Sequence, residues 1–158
     1  MRVTFLGTGS AMPTGERNQT GLLLEAGGDR LLVDCGSGVL GALADTSGGY
    51  ESTDTVLLTH HHLDHVSDLL ALLKARWLVG EEHLTVVGPA GTESLLGDLP
   101  DAHEYLRGRV DLTVRDIDPG ATTVAGFDTE ATETVHSMDC PAYRFAPDSV
   151  YGQFCFSG

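Results

Sequence analysis

The sequence predicts one α/β domain, and three observations support this class. Short apolar runs rich in β-branched residues alternate with segments of helical periodicity, as expected for strands and helices of one sheet-based domain. A cluster of histidine and aspartate side chains directly follows one of the apolar runs, and open α/β sheets place their chemistry at the carboxyl ends of buried strands. No internal repeat, low-complexity tract or linker divides residues 1–158, so we expect a single domain.

The apolar runs and the turn signals between them place the individual elements. The sequence Ala-Gly-Gly-Asp at residues 26–29, between two apolar runs, indicates a tight β-hairpin. Helices are expected at residues 39–44, 66–79 and 92–99. Strands are expected at residues 2–6, 21–25, 30–34, 55–59, 84–87, 110–115, 129–135, 142–145 and 151–156.

The segment His-His-His-Leu-Asp-His at residues 60–65 is the most informative part of the chain. It reads as His-x-His-x-Asp-His, so four side chains that bind transition metals lie within six residues. Imidazole nitrogen and carboxylate oxygen are ligands that Zn²⁺ prefers, and iron or Mn²⁺ accepts them as well. A solvated histidine-rich loop is the alternative. We favour a metal site because random placement would give this pattern in only about one in a thousand chains of this length and composition.

The spacing within the cluster favours a loop over a helix. In an extended or turning segment, residues two apart, such as His60 and His62, can point at the same ion. A helix would instead need a spacing of four residues. Asp64 and His65 lie one step further on, where a loop that enters a helix can direct them at a second, nearby ion. His61 has the wrong spacing to point at either metal ion, so we expect it to pack within the loop or to support a ligand.

The chain is strongly acidic, with 23 Asp and Glu, 9 Lys and Arg, and a formal net charge of −14. Acidic charge with a single lysine resembles proteins of salt-loving (halophilic) microbes, and an ordinary acidic cytosolic protein is the alternative. Nucleic-acid sites usually carry a basic footprint, so this charge argues against a polyanionic partner at low salt. At molar salt the Debye length falls to about 3 Å, and net charge then says little about RNA binding.

The sequence leads us to expect a cytoplasmic protein. It has no positively charged start followed by an apolar run, and no stretch of 18 apolar residues that could span a membrane. Its 3 cysteines, an odd number without Cys-x-x-Cys spacing, fit a reducing compartment better than a disulfide framework.

Segments along the whole chain carry a family resemblance. They are residues 4–9, the Pro-x-x-x-Arg-Asn loop at residues 13–18, residues 32–36, the histidine cluster, and residues 88–92, 135–137 and 156–158. Together they resemble the metallo-β-lactamase superfamily of dinuclear metal hydrolases, and within it the ribonuclease Z branch. The histidine cluster is specific for the superfamily. The loop at residues 13–18 is similar to a Pro-x-Lys-x-Arg-Asn loop that marks the branch, with Gly15 where that loop carries Lys.

The resemblance implies an αβ/βα four-layer sandwich, in which two sheets are flanked by helices. It also implies two ions. One would be held by His60, His62 and His136, and the other by Asp64 and His65 together with a bridging Asp and a final His.

The last two of these ligands are not in the sequence. In the family, the bridging Asp directly follows a Ser-Gly pair like Ser157-Gly158. We therefore expect the chain to lack the C-terminal portion of the fold.

Three further residues each allow two interpretations. Asp34, at the end of a predicted strand, either caps the turn at residues 36–38 or, as the resemblance suggests, hydrogen-bonds a ligand histidine and fixes its tautomer. Arg17 and Asn18 either bind a substrate phosphate, since arginine offers a planar fork to two oxygens, or stabilise their own loop.

The resemblance predicts a metal-dependent hydrolase acting on ester bonds, with a ribonuclease Z-like phosphodiesterase or endonuclease as the first hypothesis. Two divalent ions, zinc first and Mn or Fe as alternatives, would activate a water molecule. Asp64 is the expected catalytic residue, because it would bind one ion and could accept the proton of that water. The substrate would be a small phosphodiester or RNA, with no membrane partner and a possible homodimer. A superfamily hydrolase of thioesters, sulfate esters or lactams, and a non-catalytic metal-binding remnant, are the alternatives.

Overall fold

Two β-sheets form the framework of the molecule, in a computed structural model that describes residues 1–146 and 152–158. The helices are α1 (Val39–Ala44), α2 (Leu63–Val66), α3 (Leu69–Leu78) and α4 (Thr92–Ala102), followed by a 3-10 helix at Glu104–Leu106. The strands are β1 (Arg2–Gly7), β2 (Gly21–Ala26), β3 (Asp29–Val33), β4 (Thr55–Leu57), β5 (His83–Gly88), β6 (Asp111–Asp116), β7 (Gly120–Val124), β8 (Phe127–Glu133), β9 (Pro141–Ala146) and β10 (Phe154–Ser157).

The first sheet has the order β1-β2-β3-β4-β5-β6, and the second has the order β10-β9-β8-β7. β1, β2 and β3 pair antiparallel, whereas β3, β4, β5 and β6 pair parallel. Parallel pairing requires crossover connections, and α1, the α2–α3 pair and α4 supply them. The second sheet is antiparallel throughout.

The first sheet is buried on both faces. On β2, Leu23 belongs to the apolar cluster that includes the helices, whereas Leu22 and Leu24 belong to the cluster that includes Phe127 and Phe145 of the second sheet. This alternation follows from the two-residue period of a strand. Helices cover one face and the second sheet covers the other, so the described residues form three layers, helix–sheet–sheet. The predicted α/β class is confirmed.

The predicted hairpin joins β2 to β3 and is confirmed. Ala26 pairs with Asp29, and the two turn residues, Gly27 and Gly28, have φ values of 63° and 104°. A two-residue turn of this hand needs positive φ at both positions, which glycine adopts without steric cost.

The prediction of one helix over residues 66–79 is wrong at its start, because the chain breaks into α2 and α3 there. The Asp68 carboxylate accepts hydrogen bonds from the backbone N–H groups of Gly38 and Leu40, at 2.9 and 3.0 Å. These belong to the first turn of α1, whose N–H groups have no partner within that helix. Asp68 thus stabilises α1 from a distant part of the chain.

Most of the remaining differences lie at element ends. The strand expected at residues 55–59 ends at Leu57, which leaves the residues before the histidine cluster in a loop. Strand β7 was not predicted; it reaches β8 through a turn in which Ala125 has a φ of 47°. Tyr151, the first residue of the expected last strand, lies outside the described residues. The helices within residues 1–146 and 152–158 all lack the length and apolar character of a membrane-spanning segment.

Candidate metal centre

Three histidines, carried by loops of the two sheets, lie close together. His60 and His62 lie on the loop after β4, and His136 lies on the loop between β8 and β9. His60 Nε2 and His62 Nδ1 are 3.0 Å apart, and one ring nitrogen of each of the three histidines lies within 4.8 Å of the others. Neighbouring nitrogens on a tetrahedral zinc ion are roughly 3.3 Å apart, given Zn–N bonds of about 2.0 Å. The three imidazoles therefore fit one metal ion.

The protonation of His60 favours metal binding. Burial lowers the pKa of this imidazole to about 4, with smaller contributions from the nearby His65, His136 and His62 rings. Burial disfavours the charged form of an imidazole because it removes water from around the charge. His60 is therefore neutral near pH 7, with a nitrogen lone pair available to a metal ion.

Asp64 and His65 lie beside this cluster, on α2. Asp64 Oδ2 is 3.6 Å from His65 Nε2, and both side chains are largely buried. This separation fits one edge of a second coordination site, to which the two side chains could contribute a nitrogen and an oxygen.

The five predicted ligands line one pocket of about 470 Å³, which the turn at residues 7–10 and residues 156–158 also line. Gly158 packs directly against the loop at residues 58–62, which carries His60 and His62 and is called the metal loop below. A Cβ atom added to Gly158 would clash with Thr59 Oγ1 and would lie 2.8 Å from His60 Nδ1. Only glycine fits this position without displacing the metal loop.

The Asp34 carboxylate is fully buried and holds the metal loop in place. Its Oδ1 accepts a hydrogen bond from the backbone N–H of Thr59 at 2.8 Å, and its Oδ2 accepts one from His65 Nδ1 at 2.7 Å. The N–H of Gly38, within the turn at residues 36–38, is instead bound by Asp68. These contacts support the second interpretation of Asp34, a hydrogen bond to a ligand histidine.

Thr59 is a site residue that the sequence analysis does not identify. Its hydroxyl is buried, 2.8 Å from Asp34 Oδ2 and 3.0 Å from His60 Nδ1. The signal in the sequence is weak: a hydroxyl side chain that directly precedes the first histidine of the cluster.

His61 points away from the other histidines of the cluster. Its Nε2 is 2.8 Å from the hydroxyl of Thr92, at the start of α4, and burial lowers the pKa of its imidazole. His61 therefore ties the metal loop to α4.

Arg17 and Asn18 line a separate pocket of about 300 Å³, together with parts of their own loop and of the turn before α1. The Asn18 amide donates a hydrogen bond to the Leu6 carbonyl oxygen at 3.1 Å, and its backbone carbonyl accepts one from Gly9. These contacts stabilise the loop. Arg17 is exposed.

The chain is similar to ribonucleases Z over nearly its whole length. A family model described as Anti-Pycsar protein Apyc1 matches residues 1–98. The ribonuclease Z of Methanopyrus kandleri is 37% identical over 153 residues, which cover 94% of this chain and 51% of that protein. The chain spans about half the length of the curated relatives it matches.

Solved structures share the architecture. The metallo-beta-lactamase fold protein YhfI from Bacillus subtilis aligns with a TM-score of 0.74 at 29% identity, over 93% of this chain and 58% of that one. The short form of human tRNase Z aligns with a TM-score of 0.83 at 21% identity, over 99% of this chain and 68% of that one. These likenesses confirm the predicted sandwich fold.

Proposed function

Because this chain belongs to the family described as Anti-Pycsar protein Apyc1 and to the ribonuclease Z-like branch of the metallo-β-lactamase superfamily, we propose that it acts in metal-dependent hydrolysis of phosphodiesters. One observation carries the proposal. Five side chains with metal-binding atoms, on α2 and on loops that follow strands of the two sheets, line a single pocket: His60, His62, Asp64, His65 and His136.

The chemistry of the donor set fits two divalent ions. His60, His62 and His136 would hold one of them, and Asp64 and His65 would contribute to the other. Zinc is the first choice because nitrogen donors predominate, while Mn and Fe accept the same ligands. When bound, such ions lower the pKa of water and stabilise negative charge on the attacked group.

Asp64 would act on the attacking water. Its side chain is 13% exposed, and it lines the pocket beside His65. Its carboxylate can accept a proton within the pocket. General bases of this kind contribute about 10²–10⁴-fold to a rate.

The substrate that we favour is a small phosphodiester or an RNA. The exposed Arg17 would contact a substrate phosphate from its separate pocket, with Asn18 holding the loop that carries Arg17. The net charge of −14 opposes a long polyanion at low salt, so RNA would bind better as the salt concentration rises.

Hydrolysis of chromogenic substrates tests this proposal. The native protein, loaded separately with Zn²⁺, Mn²⁺ or Fe²⁺, is compared on a phosphodiester, a sulfate ester and a thioester. We expect the phosphodiester to react fastest. Asp64→Asn should lower its turnover at least about 10²-fold. His83→Ala, an exposed histidine on β5, is the matched control and should leave turnover unchanged.

Other outcomes would point to other functions. Faster turnover of the sulfate ester or the thioester would identify a different hydrolase of the superfamily. Bound metal without turnover of any ester would indicate a non-catalytic metal-binding protein. Either result would overturn the proposal.

The setting of the protein is a separate part of the proposal. The odd number of cysteines supports a reducing cytoplasm, and the acidic surface supports a salt-loving source. If so, the melting temperature should rise between 0.1 and 2 M KCl, because salt screens the repulsion between carboxylates. A homodimer is proposed from the resemblance and is tested by light scattering of the native protein.

A further inference from the structure

Thr59 joins the carboxylate of Asp34 to two ligand imidazoles at once. Its hydroxyl oxygen lies 2.8 Å from Asp34 Oδ2, 3.0 Å from His60 Nδ1 and 3.3 Å from His65 Nδ1. Thr59 is fully buried, so these groups, rather than solvent, determine how its hydroxyl is oriented.

The numbers of hydrogens and lone pairs on the Thr59 hydroxyl determine which of its contacts it donates to. A hydroxyl has one hydrogen to donate and two lone pairs with which to accept. Asp34 Oδ2 is the nearest of the three partners and the only carboxylate oxygen, so it receives the hydroxyl hydrogen of Thr59. Thr59 Oγ1 then offers only lone pairs to His60 Nδ1. Two lone pairs 3.0 Å apart would repel, so His60 must carry its hydrogen at Nδ1 and keep the lone pair at Nε2.

His65 reaches the same tautomer by a direct route. Its Nδ1 is 2.7 Å from Asp34 Oδ2, a distance typical of a hydrogen bond to a carboxylate. The lone pair of His65 therefore lies at Nε2, the atom that lies beside Asp64.

Cys140 is the competing partner of His60. Its Sγ is 3.6 Å from His60 Nδ1 and 3.9 Å from the Gly158 carbonyl oxygen. A thiol is a weak donor and a weak acceptor, and the Thr59 hydroxyl is closer to the ring. The hydroxyl of Thr59 is therefore the partner that sets the His60 tautomer.

We propose that Thr59 is a positioning residue that extends the effect of Asp34 to the first metal site. One buried carboxylate fixes the metal-binding tautomer of His65 directly, and that of His60 through the Thr59 hydroxyl. The inference rests on the proposed function, in which His60 and His65 bind different ions. It makes the two sites unequal in their dependence on Thr59, because the hydroxyl is needed for His60 alone.

Tautomers measured by NMR test the proposal in the metal-free protein. Long-range ¹H–¹⁵N correlations of the imidazoles at pH 8 distinguish a hydrogen at Nδ1 from one at Nε2. In the native chain, His60 and His65 should both carry it at Nδ1. In Thr59→Val, which has nearly the same shape but no hydroxyl, His60 should shift towards the Nε2 form while His65 stays unchanged. Thr59→Ser should restore the native pattern.

Two further variants complete the test. Cys140→Ala should leave both tautomers unchanged, because the thiol is not the partner that decides. Asp34→Asn should disturb both imidazoles. If Thr59→Val does not fold, as judged by circular dichroism, Thr59→Ala is the replacement. An Nε2 hydrogen on His60 in the native chain, an unchanged His60 in a folded variant without the hydroxyl, or a shift caused by Cys140→Ala would each overturn the proposal.

Zinc competition with a chromophoric chelator separates this inference from the proposed function. Zinc affinity should fall about 10–100-fold in Thr59→Val and recover in Thr59→Ser, as for other groups that orient metal ligands. Native tautomers without binding of zinc, Mn or Fe would refute the proposed function and leave the hydrogen-bond assignment standing. An equal loss of affinity in Thr59→Val and Thr59→Ser would refute the role of the hydroxyl.

Discussion

The hydroxyl of Tyr143, on β9, donates a hydrogen bond to the Leu58 carbonyl oxygen at 3.0 Å. Leu58 lies two residues before the first histidine of the metal loop, so this bond joins the second sheet to that loop. Both residues are almost completely buried. The bond therefore holds the loop against the sheet that carries His136.

Removing this bond should cost stability. Tyr143→Phe keeps the ring and leaves the Leu58 carbonyl without its side-chain donor in an apolar core. We expect the free energy of unfolding to fall by about 1–2 kcal/mol, measured by urea denaturation. Tyr105→Phe, at a residue that is 47% exposed, is the control and should change the free energy of unfolding by less than about 0.5 kcal/mol. Equal effects of the two substitutions would show that the hydrogen bond does not matter.

Gly158→Ala should weaken the first metal site without abolishing the fold. The added Cβ would meet Thr59 and His60 at distances well below van der Waals contact. The displaced imidazole should lower zinc affinity at least about tenfold, measured by chelator competition. Gly152→Ala is the matched control, since a Cβ there meets no atom within 4 Å. Native zinc affinity in Gly158→Ala would mean that this close approach does not position His60.

Arg76 should be a strong determinant of stability. It is a buried residue of α3, and its guanidinium donates to the carbonyl oxygens of Tyr50, Glu51 and His83 at 2.7–2.8 Å. Arg76→Met keeps the apolar stem and removes all three bonds. We expect a loss of roughly 2–4 kcal/mol in the free energy of unfolding, because hydrogen bonds to charged groups are the stronger ones.

A matched control for Arg76 is Arg2→Met. The Arg2 side chain is 63% exposed and pairs with Glu25 at the surface. Such pairs contribute little, so chemical denaturation should give a much smaller change than for Arg76→Met. A smaller effect at Arg76 than at Arg2 would contradict the account of the buried guanidinium.

His62→Ala should release the metal of the first site, whereas His61→Ala should retain it. The two residues are neighbours in one loop, but their rings have different partners. A ring nitrogen of His62 lies 3.0 Å from one of His60, whereas His61 contacts the Thr92 hydroxyl. Metal content after dialysis, measured by mass spectrometry, compares the two variants. Loss of metal in His61→Ala together with its retention in His62→Ala would reverse the ligand assignment.

Local patterns predicted most of the strands, the hairpin at Gly27-Gly28 and the loop position of the histidine cluster. Non-local contacts explain what they could not predict. At the helix break, the Asp68 carboxylate accepts a hydrogen bond from Gly38, 30 residues away in sequence. The importance of Thr59 depends on Asp34, 25 residues away. The spacing of apolar residues along the sequence contains no information about such hydrogen bonds.

The approach of His136 to the histidine cluster was likewise expected only from the family resemblance. Its own segment reads as an ordinary strand end, and the two sheets must pack before the ring meets His60, at a centroid distance of 4.7 Å. The predicted strand at residues 129–135 lies two residues earlier, at Phe127–Glu133, which leaves His136 on the loop that follows.

Anomalous diffraction at the zinc absorption edge, from crystals of the zinc-loaded native protein, tests the central claim most directly. The account predicts a peak about 2.0–2.1 Å from His60 Nε2, His62 Nδ1 and a ring nitrogen of His136. Zinc bound only at other residues, or by a set that includes His61, would contradict the proposed metal centre and the function built on it.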